Sequence, residues 1–187
     1  MSQPDKIFFN NEDKNSKAFA SALNKKVNDY FKTKGISRYG NAEMYFKTVF
    51  MLLLFILPFL GIIIFQPGTL VALMLAGLMG LGMAGIGLGV MHDAIHGAYS
   101  ANQNVNTFWG FTLNFVGGNS INWKIQHNVK HHSYANIHDH DEDIAPKLIL
   151  RLSPYSSISG VHKYQYIYAW ILYGLGTFFW VTFKDFI

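Results

Sequence analysis

Two charge-free stretches decide how this chain must be read: Thr48–Phe65, TVFMLLLFILPFLGIIIF, and Leu70–Val90, LVALMLAGLMGLGMAGIGLGV. Only Gln66-Pro67-Gly68-Thr69 separates them, and no Asp, Glu, Lys or Arg occurs between Lys47 and Asp93. A soluble helix needs a solvated polar face, and neither stretch offers one. Each is near the roughly 20 residues that carry a helix across the hydrocarbon core. Pro67 and Gly68 are turn formers, so the pair predicts a tight transmembrane hairpin with both ends on one side. Pro58 is tolerable in a spanning helix when neighbours satisfy the freed backbone groups. The second stretch is rich in small residues. Ala72, Ala76 and Gly80 lie four apart, as do Gly85 and Gly89, a spacing that admits another helix backbone or borders a narrow groove.

Outward from this block, nine of the fifteen Lys and Arg residues lie at or before Lys47, and the hairpin tip has none. The positive-inside rule then puts the N-terminus and the end of the second span in the cytoplasm. The first forty-odd residues are polar and contain no early apolar core of a signal peptide. Residues 1–44 are expected to form a cytoplasmic segment with one amphipathic helix. Its apolar face is Phe19, Ala22, Leu23, Val27, Tyr30 and Phe31, with Lys25, Lys26, Lys32 and Lys34 among the polar positions. That face suits an anionic membrane surface or the cytoplasmic part of the same chain. A third uncharged stretch, residues 165–183, is long enough to span, and Tyr164, Tyr166, Tyr168 and Trp170 resemble an interfacial aromatic belt. Lys184 would then fall outside. Residues 105–118 are apolar but short and contain Asn106 and Asn114, which predicts an interfacial or re-entrant segment. The expected fold class is an all-α membrane protein: a hairpin, a cytoplasmic helical region, and a third span. At 187 residues the chain holds one domain at most, taken here as 45–187 after the N-terminal segment.

Zero Cys among these residues removes disulfide frameworks, thiolate zinc sites, iron–sulfur clusters and cysteine nucleophiles. The net charge of +4 comes without a Lys/Arg block, so nothing points to nucleic acid. The His residues are the distinctive feature: seven of eight lie between His92 and His140. His92 and His96 stand at i and i+4 directly after the second span, on one face of a helix. His127 and His131 repeat that spacing, with His132 beside them. One such pair is weak evidence. Two pairs at span ends on one side of the membrane point to a metal. That requires residues 105–118 not to cross, in keeping with their length. Imidazole suits zinc, copper, iron and nickel. Five His are too many for one tetrahedral zinc, and a two-metal site accommodates them better. Asp93, Asp139, Asp141 and Asp143 are candidates to accept ring N–H bonds and offset the charge. Glu142 reads as part of a solvated loop. HDAIH has the spacing of the zinc-protease HExxH motif but lacks its Glu. A His-lined metal transporter would place His within the spans, and here they sit at or beyond the ends.

HDAIHGAYS (His92 to Ser100) and QHNVKHHSYANIHDHDEDI (Gln126 to Ile144) resemble the first and second histidine boxes of membrane fatty acid desaturases. The spacing is most similar to bacterial and cyanobacterial delta-6-type enzymes, and the resemblance covers roughly Met44 to Ile187. It implies a membrane-embedded enzyme with two iron ions that uses O2 and two electrons to introduce a double bond into an acyl chain, carried on CoA or on a lipid. The electron donor would be a separate ferredoxin, or cytochrome b5 with its reductase. The location would be a multi-pass position in a membrane, here a bacterial inner membrane, with the boxes in the cytoplasm. By motif match the iron ligands would be His92, His96, His127, His131 and His132, while His138, His140 and His162 match nothing. The family's third box, HxxHH or QxxHH, has no counterpart after His132. The sequence is therefore expected to be the N-terminal portion of a longer desaturase, with an incomplete fold and no activity by itself. A membrane di-iron hydroxylase is the alternative within the same superfamily.

Overall fold

The structure, a computed structural model, describes residues 14–141, 143–145 and 149–182. Glu142, Phe183 and Lys184, named in the expectations above, lie outside them, as do residues 1–13. The described residues form helices joined by turns, with no β-strand among them.

Helix α1 (Lys14–Lys34) precedes the hairpin of α2 (Ala42–Phe65) and α3 (Thr69–Gly85). Asn41 starts α2 by accepting a hydrogen bond from the Met44 N–H at 3.1 Å, which satisfies one orphan donor of the first turn. The helix runs through Pro58, which is buried, and ends at Gln66 in the left-handed conformation (φ 43°). Gln66 N–H closes the last turn on Ile62 O at 3.1 Å. The predicted turn therefore stands where the sequence placed it.

Beyond α3 the same rod continues through a π-helical segment, Ile86–Met91, into α4 (His92–Ile95). The two apolar helices, Ala42–Phe65 and Thr69–Ile95, are long and apolar enough to cross a membrane. Only 11% of the apolar window of each is buried within the described structure, whereas the core helix of a soluble domain is mostly buried. Their exposed faces are Leu57, Phe65 and Leu88 and their like, which water would not tolerate.

The contact of α2 with the second apolar helix uses the predicted pair Gly85 and Gly89 together with Gly82, whereas Gly80 of the predicted Ala72/Ala76/Gly80 row takes no part. A Cβ on Gly82 would lie 2.7 Å from Phe55 N, and one on Gly89 3.2 Å from Lys47 Nζ, while Gly77, Gly80 and Gly87 meet nothing within 4 Å. The close-packed row is thus Gly82, Gly85 and Gly89, which adjoins the end that carries the histidines.

The core sits at that same end. Ile86, Val90, Met91, Ala94 and Tyr99 are buried, and Met44, Val105 and Trp109 pack against Val90, Ala94 and Tyr99. Buried Thr48 binds Tyr99 Oη at 2.9 Å and also donates to Met44 O at 2.8 Å. The predicted non-crossing segment is two short helices, α5 (Gln103–Gly110) and α6 (Thr112–Phe115), both far too short to span. They pack on the π segment and return the chain to the same end of the hairpin. Buried Asn106 fastens the turn after α4, accepting from Ser100 N and donating to Ser100 O, each at 2.8 Å. Next come α7 (Ser120–Lys124), a second π-helical segment (Ile125–His131), and α8 (His132–Tyr134). A 3-10 turn, Gly160–Tyr164, leads into α9 (Gln165–Thr182).

Candidate metal centre

Both histidine clusters lie on or next to π-helical winding, a feature frequent at functional sites. Across α4 and its C-cap the two imidazoles keep the expected α spacing: His96 N–H bonds His92 O at 3.1 Å, and the rings are 4.6 Å apart. In the second cluster the wider winding changes the neighbours. His127 and His132, at i and i+5, bring their Nε2 atoms to 3.2 Å, while the His127 and His131 rings stack at 5.4 Å. An α-helix would have separated the first of these pairs.

The clusters meet. The His127 ring lies 5.2 Å from His92 and 5.3 Å from His96, and His132 lies 4.8 Å from His96. One ligand atom each from His92, His96 and His127 falls within 4.8 Å of the others. Two nitrogens on opposite sides of one ion, each about 2 Å from it, would span about 4 Å. The donor set is all imidazole nitrogen, a class that suits iron among other metals, so the residues fit such an ion.

His131 is set apart by its partners. Its Nδ1–H donates to Asp141 at 3.0 and 3.1 Å, and Asp143 lies 3.3 Å away. With its proton on Nδ1, the ring keeps a lone pair on Nε2. Asp141 has no exposed side chain and also accepts from Asn136 N at 2.8 Å and Asp143 N at 2.9 Å. Burial pushes this carboxyl up, but the hydrogen bonds from Asn136, His131 and Asp143 outweigh it and hold the pKa below the ordinary value. The turn that delivers Asp141 needs left-handed residues at Asn136 (φ 62°) and Asp139 (φ 67°), side chains that tolerate that region.

Asp93 plays a looser part: its Oδ1 is 3.3 Å from His92 Nδ1, and its Oδ2 is 3.5 Å from Lys47 Nζ. Asp139 is placed elsewhere, 3.0 Å from His138 Nδ1. His138 faces Tyr155, His140 faces Tyr134, and His162 caps the 3-10 turn by accepting from Ser159 N at 3.0 Å.

Burial, followed by His132, His92, His96 and His131, pushes His127 down to about 4. Desolvation, followed by His92 and His132, lowers His96 against a weaker opposing pull from Asp93. Burial, reinforced by crowding, thus keeps His96 and His127 neutral at physiological pH, the form that a metal requires.

Sequence reasoning missed two supports. Trp123 stacks on His127 at 4.2 Å and 28°. It sits four residues before His127, the same spacing used to pair the histidines, and so was within reach of that argument. Asn128 ties the clusters together through Nδ2 to Ile95 O at 3.2 Å, a contact across 33 residues that no local pattern signals.

The architecture defines a helical membrane protein that gathers imidazoles at one end of an apolar hairpin. The family model described as fatty acid desaturase matches residues 67–187, and the chain belongs to the fatty acid desaturase family. It is 34% identical over 163 residues to an sn-1 linoleoyl-lipid 6-desaturase of Arthrospira platensis, covering 87% of this chain and 44% of that protein. The corresponding protein of Synechocystis sp. is also 34% identical, over 165 residues, covering 88% and 46%. An acyl-lipid (8-3)-desaturase of Physcomitrium patens is 30% identical over 164 residues, covering 87% and 34%. The chain spans less than half the length of these curated relatives. No solved structure matches.

Proposed function

We propose that the whole protein is a membrane acyl-lipid desaturase, and that His92, His96, His127, His131 and His132 contribute ligands to a pair of iron ions. The convergence of His96, His127 and His132 from two separate boxes, with rings 4.7 to 5.3 Å apart, carries this reading. The printed names of the relatives favour an acyl chain held on a lipid. Bound iron would supply O2 activation, with two electrons from a separate donor of the ferredoxin or cytochrome b5 type. This chain's own residues would fix the ligands. Asp141, with Asp143 beside it, sets the tautomer of His131; Asp93 orients His92; and Trp123 holds the plane of His127. The hairpin would present this site at the cytoplasmic face of a bacterial inner membrane, with residues 165–183 as a third crossing.

The test is the full-length protein, expressed with an electron donor and isotope-labelled acyl lipid, with products read by mass spectrometry. A new double bond is expected. His127→Ala should lose both product and iron by more than the roughly 10–100-fold that outer-shell partners contribute. Hydroxylated product would redirect the assignment to a hydroxylase. Folded protein that binds no iron would sink the metal centre.

A further inference from the structure

Helix α1 presents an apolar face that nothing in the described structure covers. Phe19 is 70% exposed, Leu23 48%, Val27 46% and Tyr30 54%, and α1 has no buried residue. Successive residues at 100° place these four within one quadrant of the helix. Ser21, Lys25, Asn28 and Lys32 lie on the opposite side. Six lysines stand against a single acid, Asp29.

The connector fixes where this face can go. Residues 35–41 alone separate α1 from the first span, a reach of at most about 25 Å. Arg38 donates to Asn28 Oδ1 at 2.7 Å, folding the connector against α1. Gly40 N–H bonds Ala98 O at 3.2 Å and Tyr99 O at 3.1 Å, tying it to the turn after α4. A Cβ on Gly40 would lie 2.7 Å from Tyr99 O, so this close approach requires glycine. The apolar face of α1 is therefore tethered at the end of the hairpin where the membrane surface lies.

We infer that α1 lies flat on an anionic lipid surface, with Phe19, Leu23, Val27 and Tyr30 among the headgroups and Lys26 and Lys34, which lie beside that face, paired with lipid phosphates. The charge selects the occupant: each lysine near such a surface favours binding about fivefold, whereas a protein patch would need to supply matching acids. The surface requires the spans but neither the metal centre nor the acyl chemistry, so it stands or falls separately from the proposed function.

The absence of Cys from these residues makes single-cysteine labelling direct. Leu23→Cys, Val27→Cys and Ser21→Cys variants of the full-length protein, in a background with any other Cys replaced, carry an environment-sensitive fluorophore in phosphatidylcholine vesicles with and without phosphatidylglycerol. In anionic vesicles, the labels at 23 and 27 should shift to the blue, be quenched by lipid-borne nitroxide and escape aqueous iodide. The label at 21 should do the reverse. Lys26→Ser with Lys34→Ser, the lysines beside the apolar face, should move the bound fraction toward free by about fivefold per lysine, and Lys25→Ser with Lys32→Ser, on the far side, by distinctly less. Three results would overturn the inference: iodide access at 23 and 27 in both vesicles, equal lipid quenching without the anionic lipid, or shielding from both quenchers, which means protein covers the face. Both positions are exposed, so neither substitution disturbs the core.

Discussion

His92 and His96 stand on a wall of apolar side chains, whereas His127, His131 and His132 stand on a helix that hides almost nothing. Val90 and Met91 just before the first box, and Ala94 within it, are at most 2% exposed. The segment Ile125–His131 contains no buried residue. The first box inherits its position from a spanning helix packed by Gly82, Gly85 and Gly89. The second is held by directional contacts: Asp141 on His131, Trp123 on His127, and Asn128 on Ile95 O. One box is placed by burial, which is insensitive to small angular errors. The other is placed by hydrogen bonds and a ring stack, which specify angle.

The sharpest way to break this comparison is to put the same charge in each region. Val90→Asp buries an unpaired carboxylate and should cost several kcal/mol, enough to prevent recovery of folded protein. Val129 is 57% exposed, and Val129→Asp should stay within about 0.5 kcal/mol. Fluorescence-detected size exclusion and thermal melts in detergent give both values. Equal losses would mean that the second box is also placed by burial.

Removal of one charge from each supporting carboxylate gives the next largest effect, and its order should reverse. Asp141→Asn places an amide where three N–H donors converge, so iron affinity should fall about 10–100-fold. Asp93 is 30% exposed, and its contacts are 3.3 and 3.5 Å, so Asp93→Asn should cost distinctly less. Iron titration of the two variants measures the ratio, and a ratio near one would remove the distinction between the boxes.

The same division separates what was legible in the sequence from what was not. The hairpin, its turn at Gln66–Gly68 and the short non-crossing segment follow from charge and length, which act residue by residue. The converging His also follow from the sequence, because their spacing survives small changes of winding. The π winding does not: it depends on packing by α5, α6 and the loop carrying Asp141, all set by distant contacts. That winding adds a 3.2 Å approach of His127 to His132 at i, i+5 to the expected i, i+4 pair of His127 and His131, whose rings stack at 5.4 Å. The helix-contact row likewise moved from Gly80 to Gly82, because the facing residues Phe55 and Met51 choose which small side chains are needed.

Protonation separates the boxes most gently. In metal-free protein His127 is held down to about 4, against 6.5 for a free ring. Between those values the unfolded chain binds more protons at this position than the folded one, so folding stability falls as pH falls. The stabilising neutrality is complete above about 6.5 and is lost progressively toward 4. His96 is lowered as well and adds to the same slope. Chelator-treated protein should therefore melt at a lower temperature at pH 5 than at pH 7.5. His127→Gln removes the ring that all four neighbours crowd and should flatten the dependence more than His96→Gln. An apo protein whose melting temperature is level across that window, or rises toward acid, would show that burial and the neighbouring imidazoles, 4.7 to 5.3 Å away for the three nearest, do not hold His127 neutral.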